Sequence, residues 1–493
     1  MKLYLIGHDY KYAVEQIMLM LFPQERPEYP AAPPNPGDCY ARVRISAGPV
    51  FTTASALVCA GGQSGRGTAR IRTAALSGGL ITERLRQRII KLAFYKAAVA
   101  VTGQTPVWGA LTGIRPAKLA ARFLEEGMDA AGAQAAMQRE FFVSPERAQL
   151  CVAAADAAVQ AARTLAPGDV ALYVGIPFCP TRCAYCSFVS NSVEKSMQLI
   201  DPFLNALDRE IDETGRVAAE LGLTVRSVYF GGGTPTTLSA GQLRHVISRL
   251  RGAFDLSHIR EFTVEAGRPD TITREKLDAL AESGVDRISI NPQSMSDDVL
   301  RAIGRRHTAE DIRTAFAAAR AAGFRRINTD LIAGLPGDTP DGFARSLSDV
   351  LALGPENITV HTLALKKGSR ITEQAIPIPD GAAVGAMLDG ARSRLTAEGY
   401  APYYLYRQKF TSGGFENVGW SLPGCENLYN ICIMEELCTI LAMGGGGSTK
   451  LVKHSSGRIE RIFDPKYPLE YIQNIDRVLA DKEKIRIFCL QER

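Results

Sequence analysis

The sequence of 493 residues has no run approaching the ~18 consecutive apolar residues of a membrane-spanning helix. The apolar stretch at its start, Met1-Lys-Leu-Tyr-Leu-Ile6, is too short for a secretory signal and runs straight into Gly7-His-Asp-Tyr10. Charge of one sign is also scarce. The 57 Lys and Arg against 52 Asp and Glu leave a formal +5. That balance gives no argument for a nucleic-acid partner and suits an acidic small molecule. Ten cysteines are too sparse for a disulfide scaffold, so a reducing cytoplasm is the expected setting. No internal repeat stands out beyond a strand–helix rhythm, and there is no long low-complexity tract. What is present is an ordinary globular composition, 46% hydrophobic, long enough for two or three domains.

Residues 1–166 read as an N-terminal α+β accessory domain. Apolar spacing predicts a strand at 3–6 and a helix at 12–22 that stops at Pro23, followed by a proline-rich connector at 30–36. Strands at 40–45, 51–59 and 70–75 come next, then helices at 82–101, 117–126, 130–142 and 146–165. The arginines of the 82–101 helix read as a solvated face. Pro167-Gly168 opens a second region, 167–395. Here strands at 171–176, 225–230, 261–265, 286–290, 325–332 and 358–362 alternate with helical segments. Such alternation predicts right-handed βαβ units and a parallel sheet. Six units fit an α/β fold, an incomplete (β/α)6 TIM-like barrel, whose chemistry sits at the C-terminal strand ends. Residues 396–493 read as a small C-terminal domain closing the active site, with an aromatic and basic stretch at 400–409 and an apolar segment at 430–443. The glycines at 444–447 lack the Lys-Ser/Thr ending of a phosphate-binding loop.

The chemistry concentrates after the first barrel strand, in Cys179-Pro-Thr-Arg-Cys183-Ala-Tyr185-Cys186-Ser-Phe188. Three cysteines at i, i+4 and i+7 can turn their sulfurs toward one point, and thiolates so grouped are the usual ligands of an iron–sulfur cluster. A four-iron cluster takes four ligands. Either a distant cysteine completes the set or one iron is open to a small molecule. The same spacing also lines one face of a helix, although Pro180 sits badly inside one. Further candidates fall on or after the following strands: Gly231-Gly-Gly-Thr-Pro235, Glu265, Gln293, Arg305 and Asp330. Glycines allow a backbone to approach a ligand closely or simply make a tight turn. The polar residues read equally as barrel salt bridges. Cys425, Cys432 and Cys438 have no compact ligand spacing and read as buried packing.

Cys-x-x-x-Cys-x-Tyr-Cys resembles the signature of radical S-adenosylmethionine (SAM) enzymes, in which three cysteines, here Cys179, Cys183 and Cys186, hold a [4Fe–4S] cluster and SAM binds the open iron. Tyr185 belongs to that signature. Gly232, Gly233 and Thr234 resemble the family loop that contacts the SAM amino group, Glu265 matches a ribose contact, and Tyr173 matches a tyrosine on the same SAM. Gln293, Arg305 and Asp330 match positions that contact a second SAM in oxygen-independent coproporphyrinogen III oxidases. The N-terminal region, including Gly109-Ala-Leu-Thr-Gly-Ile-Arg-Pro-Ala-Lys118, is similar to HemZ-type members of that group. The resemblance implies oxidative decarboxylation of a tetrapyrrole's propionates by a 5′-deoxyadenosyl radical. It implies no catalytic side chain beyond cluster and SAM, and an electron donor such as flavodoxin or ferredoxin. Arg306, Lys366, Lys367, Arg370, Arg407, Lys409 and His361 are candidates for the substrate's carboxylates. Phe188 departs from the oxidases, which have a further cysteine there, and agrees with the haem-chaperone relatives. A haem chaperone, or a radical SAM enzyme with a different substrate, are the alternatives.

Overall fold

The computed structural model describes residues 1–490 apart from positions 36, 77, 187–190, 193–195, 367 and 454–456. It forms two compact units, residues 1–116 with 122–152, and 117–121 with 153–493.

In the first unit β1 (Lys2–Ile6) runs parallel to β2 (Tyr40–Ala47), which continues antiparallel into β3 (Phe51–Ala60) and β4 (Gln63–Arg72). Alternate residues Val43, Ala54, Ala56 and Val58 are buried with Val14, Ile17 and Phe94 of the helices Lys11–Leu21 and Gly79–Thr102. The strand expected at 70–75 lies earlier, and residues Thr73–Ala75 form a 3-10 turn. Gly65 and Gly67 disguise β4. A Cβ at Gly67 would stand 2.1 Å from the Ala93 carbonyl, so glycine here marks a backbone pressed against a helix.

In the second unit six parallel strands neighbour one another in chain order. The first is β5 (Asp169–Ile176). A two-residue pair, β6 (Phe178–Cys179) and β7 (Asn191–Ser192), follows in the next loop. The others are β8 (Thr224–Gly232), β9 (Glu261–Gly267), β10 (Arg287–Ile290), β11 (Arg326–Ala333) and β12 (Asn357–Thr362). Four of the helices between them begin at side-chain caps. Ser239 and Thr308 form capping boxes with Gln242 and Asp311, and Thr273 and Thr339 accept from the first-turn amides. This is the incomplete barrel that the periodicity predicts.

The segment from 396 does not stand apart as a smaller domain. Its strands extend the same sheet at both edges. β13 (Ala401–Arg407) and β14 (Glu416–Ser421) continue antiparallel beyond β12, while β15 (Thr439–Gly444) lies parallel to β5 and carries β16 (Ser448–Lys453) and β17 (Arg458–Phe463). The apolar stretch 430–443 divides at Glu436, whose φ of 59° ends the helix Leu428–Glu435 before β15 begins. An apolar run alone cannot distinguish a buried helix from a buried strand. Among the described residues no helix is long and apolar enough to cross a membrane.

A buried ionic cluster joins these parts. Lys482 Nζ lies 2.5 Å from Glu210 Oε1, 3.7 Å from Asp464 Oδ1, and donates to the Ala442 carbonyl at 3.0 Å. Glu210 Oε2 accepts from the Gly444 amide at 2.7 Å and from the Tyr471 hydroxyl. The helix Ile200–Leu221, the end of β15 and the C-terminal helices therefore share one set of charges.

Candidate active site

The C-terminal ends of the six parallel strands surround a cavity of about 550 Å³. The cysteine loop forms one wall. It makes turns through residue 186 and no helix, so the three cysteines do not line a helical face. Pro180 accounts for this, because it cannot donate to a helical ladder. The loop is pinned by the Ala184 amide donating to Ile303 at 2.9 Å and the Cys186 amide donating to Cys183 at 3.2 Å. Cys183 is buried, and Cys179 and Cys186 are half-buried. Arg268 Nη1 reaches Cys183 Sγ at 3.9 Å and Thr181 Oγ1 at 2.8 Å, while Cys179 Sγ stands 3.5 Å from Thr234 Oγ1.

Gly231 to Gly233 are squeezed between the strand ends. A Cβ on Gly231 would sit 3.2 Å from Glu265 Oε1, and one on Gly233 would sit 2.4 Å from the Phe178 carbonyl. Gly232 has a φ of 104°, open to glycine at little cost. Below the loop, Tyr173, Tyr229 and Tyr429 stack, with ring centroids 4.5 Å apart between Tyr229 and Tyr429 and 6.2 Å between Tyr173 and Tyr429. Tyr229 donates its hydroxyl to Glu265 Oε1 at 2.6 Å. Burial pushes the Glu265 carboxyl up to about 7, against the Tyr229 hydrogen bond that favours its charged form.

Gln293 holds a φ of 70°, unusual for a side-chain-bearing residue, and is fixed there by backbone hydrogen bonds with Asp330 and Ile332 at 2.9 and 3.0 Å. Arg305 is buried; it donates to the Asn291 carbonyl at 2.5 Å and to the Tyr185 hydroxyl at 3.1 Å. Burial raises the Tyr185 phenol. Asp330 Oδ2 lies 3.7 Å from His361 Nε2, and His361 Nδ1 lies 3.4 Å from the Tyr406 hydroxyl.

The cavity therefore gathers Cys179, Cys183, Cys186, Tyr173, Tyr185, Gly232, Gly233, Thr234, Glu265, Gln293, Arg305 and Asp330 around one space. His361 and Lys366 join them. Arg306 and Arg370 line a different groove, and Lys367 and Phe188 lie outside the described residues. Arg407 folds onto the Gly414 carbonyl at 2.8 Å, and neither it nor Lys409 lines the cavity. The strand period explains Arg407: Tyr404 and Tyr406 of β13 line the cavity, which turns Arg407 away, and Gln408 joins them just past the strand end. Sequence reasoning missed these three, and also Asn417, Tyr429, Asn430, Ile433 and Met434 from β14 and the helix Leu428–Glu435. The Tyr-x-Tyr-x-Gln alternation is the signal that was available.

The site suits a cluster with a polar ligand beside it. Asn291 Oδ1, Gln293 Oε1 and Arg305 Nε are buried without a hydrogen-bond partner, and such groups need one. Among the described residues no three His, Cys, Asp or Glu converge on a single metal ion. A four-iron cluster places each thiolate on a different iron and does not need such convergence.

A six-stranded incomplete barrel with a three-cysteine loop after its first strand is the architecture of the radical SAM superfamily, and residues 173–350 match that superfamily's model. Its members use a [4Fe–4S] cluster and SAM. The chain belongs to the oxygen-independent coproporphyrinogen-III oxidase-like proteins of the HemZ type: it is 41% identical to HemZ of Bacillus subtilis over 390 residues, 78% of each chain. It is also 33% identical to the heme chaperone HemW of Bacillus subtilis over 250 residues, 50% of this chain and 64% of that one. The solved structure of coproporphyrinogen III oxidase (HemN) from Escherichia coli, a radical SAM enzyme, superposes with a TM-score of 0.51 at 25% identity, covering 66% of this chain and 72% of that chain.

Proposed function

We propose that the protein carries out the SAM-dependent, oxygen-independent oxidative decarboxylation of coproporphyrinogen III to protoporphyrinogen IX. The observation that carries this reading is the gathering of the family-matched cluster and SAM residues around one cavity at the barrel mouth. Cys179, Cys183 and Cys186 would hold the cluster. Tyr173, Tyr185, Gly232, Gly233, Thr234 and Glu265 would hold the SAM that it cleaves, and Gln293, Arg305 and Asp330 a second SAM. Bound there, cluster and SAM would supply the radical hydrogen-abstraction chemistry that turning a propionate side chain into a vinyl group requires.

The chain's own residues bind, orient and exclude water. The Tyr173–Tyr229–Tyr429 stack, Ile433 and Met434 give the cavity a dry wall, which protects a primary carbon radical from quenching. Tyr404 and Tyr406 offer aromatic edges to a flat macrocycle. Lys366 and Arg268 line the cavity as cations that would face its carboxylates, Arg268 being paired with Asp270 at 2.8 Å.

A haem-binding chaperone is the second reading, favoured by the similarity to HemW. Anaerobic incubation of the reconstituted protein with SAM, dithionite and coproporphyrinogen III separates the two. Vinyl products with matching 5′-deoxyadenosine support the enzyme. Stoichiometric haem binding without deoxyadenosine supports the chaperone and sinks the enzyme.

A further inference from the structure

The cysteine loop has a second, outer side. A groove of about 780 Å³ opens there, and its lining brings together Arg182, Arg301, Arg305, Arg306 and Arg370, with Asp297 as the acid among them. With Asp298, which pairs with Arg301, counted beside Asp297, five arginines face two carboxylates, a local excess of three positive charges on a chain whose total is +5. Arg182 lies between the first two cluster cysteines in sequence. Thr181 and Arg305 line both this groove and the SAM cavity, so shared side chains separate the two spaces.

Arg301 is paired with Asp298 three residues earlier on the same short helix, which offsets one of these charges. Arg182 donates to the Gly368 carbonyl at 2.7 Å and Arg370 donates to the Arg182 carbonyl at 3.0 Å, so both spend hydrogen bonds on backbone and keep their charge. Asp297 is occupied by the Ala309 amide at 2.8 Å. At the groove's floor His307 is 5% exposed, and neither ring nitrogen has a partner. Its N–H is an unused donor for an acidic group.

We propose that this arginine groove is the docking surface for the protein's reductant, a small acidic one-electron carrier protein. The inference rests on the reading that Cys179, Cys183 and Cys186 bind a redox-active cluster. The carrier is oxidised by one electron and the oxidised cluster is reduced by one, with no bond made or broken. Complementary charge is what such an encounter needs. Redox partners meet over small interfaces, find each other by electrostatic steering, and part quickly. The groove shares Thr181 and Arg305 with the cavity, so a carrier docked there would sit beside the cysteine loop without entering the substrate space.

The test uses the full chain, a flavodoxin and a [2Fe–2S] ferredoxin as probes, and the double variant Arg301→Glu with Arg306→Glu. Binding is measured by calorimetry at rising salt, and cluster reduction by absorbance. At least one carrier should bind the parent protein, more weakly as salt rises. The variant should lose about tenfold or more in that affinity and reduce equally more slowly with the carrier, while dithionite reduces it as before. Arg301→Lys with Arg306→Lys should restore binding, which a misfolded variant would not allow. Absence of binding by both carriers, undiminished affinity in the charge-reversed variant, or phosphate binding in place of carrier binding would each overturn the proposal. If no cluster assembles in the parent protein, the cysteine assignment itself fails, whereas binding of carriers to the chain remains measurable and decides the docking surface separately.

Discussion

Glu265 stands where burial and hydrogen bonding pull in opposite directions, and it gives the residue scale its clearest pH signature. Its carboxyl holds a proton more tightly in the fold, at about 7, than at its ordinary 4.5. The native state therefore binds more protons between those values. The stability this group contributes is complete below about pH 4.5 and is lost as pH rises through about 7, by at most about 3 kcal/mol. Urea unfolding of Glu265→Gln at about pH 5 and pH 8 should show a smaller fall in stability than the parent. Equal slopes would mean that Glu265 titrates normally. Cys183→Ala belongs to the same scale. It should abolish the cluster's absorbance and all SAM cleavage, and retention of either would refute the ligand assignment. At this scale the sequence was most legible where residue type dictates chemistry. Cysteines, a glycine turn and a strand-end glutamate announce themselves. Tyr229 and Tyr429 do not, because a buried tyrosine in a core and one in a cavity wall have the same local pattern.

Elements form where local periodicity and caps agree, and the six barrel units satisfy both. Their strands read as apolar runs because helices cover the outer face of the sheet. β4 reads too late from the sequence, at 70–75, because its Gly65 and Gly67 lower strand propensity in order to admit a helix backbone. The loop Gly231–Gly233 shows the same cause in a functional setting. Gly233→Ala forces a Cβ to within 2.4 Å of the Phe178 carbonyl, so either the loop or the start of the cysteine segment must move. The expected result is a loss of about 1–3 kcal/mol in stability with weakened SAM binding. Calorimetric titration with SAM and thermal unfolding check the two parts. Unchanged SAM affinity would remove the loop from the binding site.

Over the whole molecule, the pairings that could not be read locally are those between distant segments. β15 joins β5, and β14 joins β12, through registers that no short window contains. This is why the tail reads as a separate domain when its strands complete the sheet. The Glu210, Asp464 and Lys482 cluster fastens that arrangement. Lys482→Ala leaves two buried carboxylates facing each other and should cost about 3–5 kcal/mol by denaturant unfolding. A change within experimental error would show that the C-terminal helices are held by apolar contacts alone.

The most direct measurement is the anaerobic reaction itself. The reconstituted protein is incubated with dithionite, SAM and coproporphyrinogen III, and the tetrapyrroles are read by mass spectrometry. Loss of carbon dioxide and two hydrogens from each of two propionates, with 5′-deoxyadenosine formed in step, is the predicted result. SAM cleavage with coproporphyrinogen left intact would contradict it.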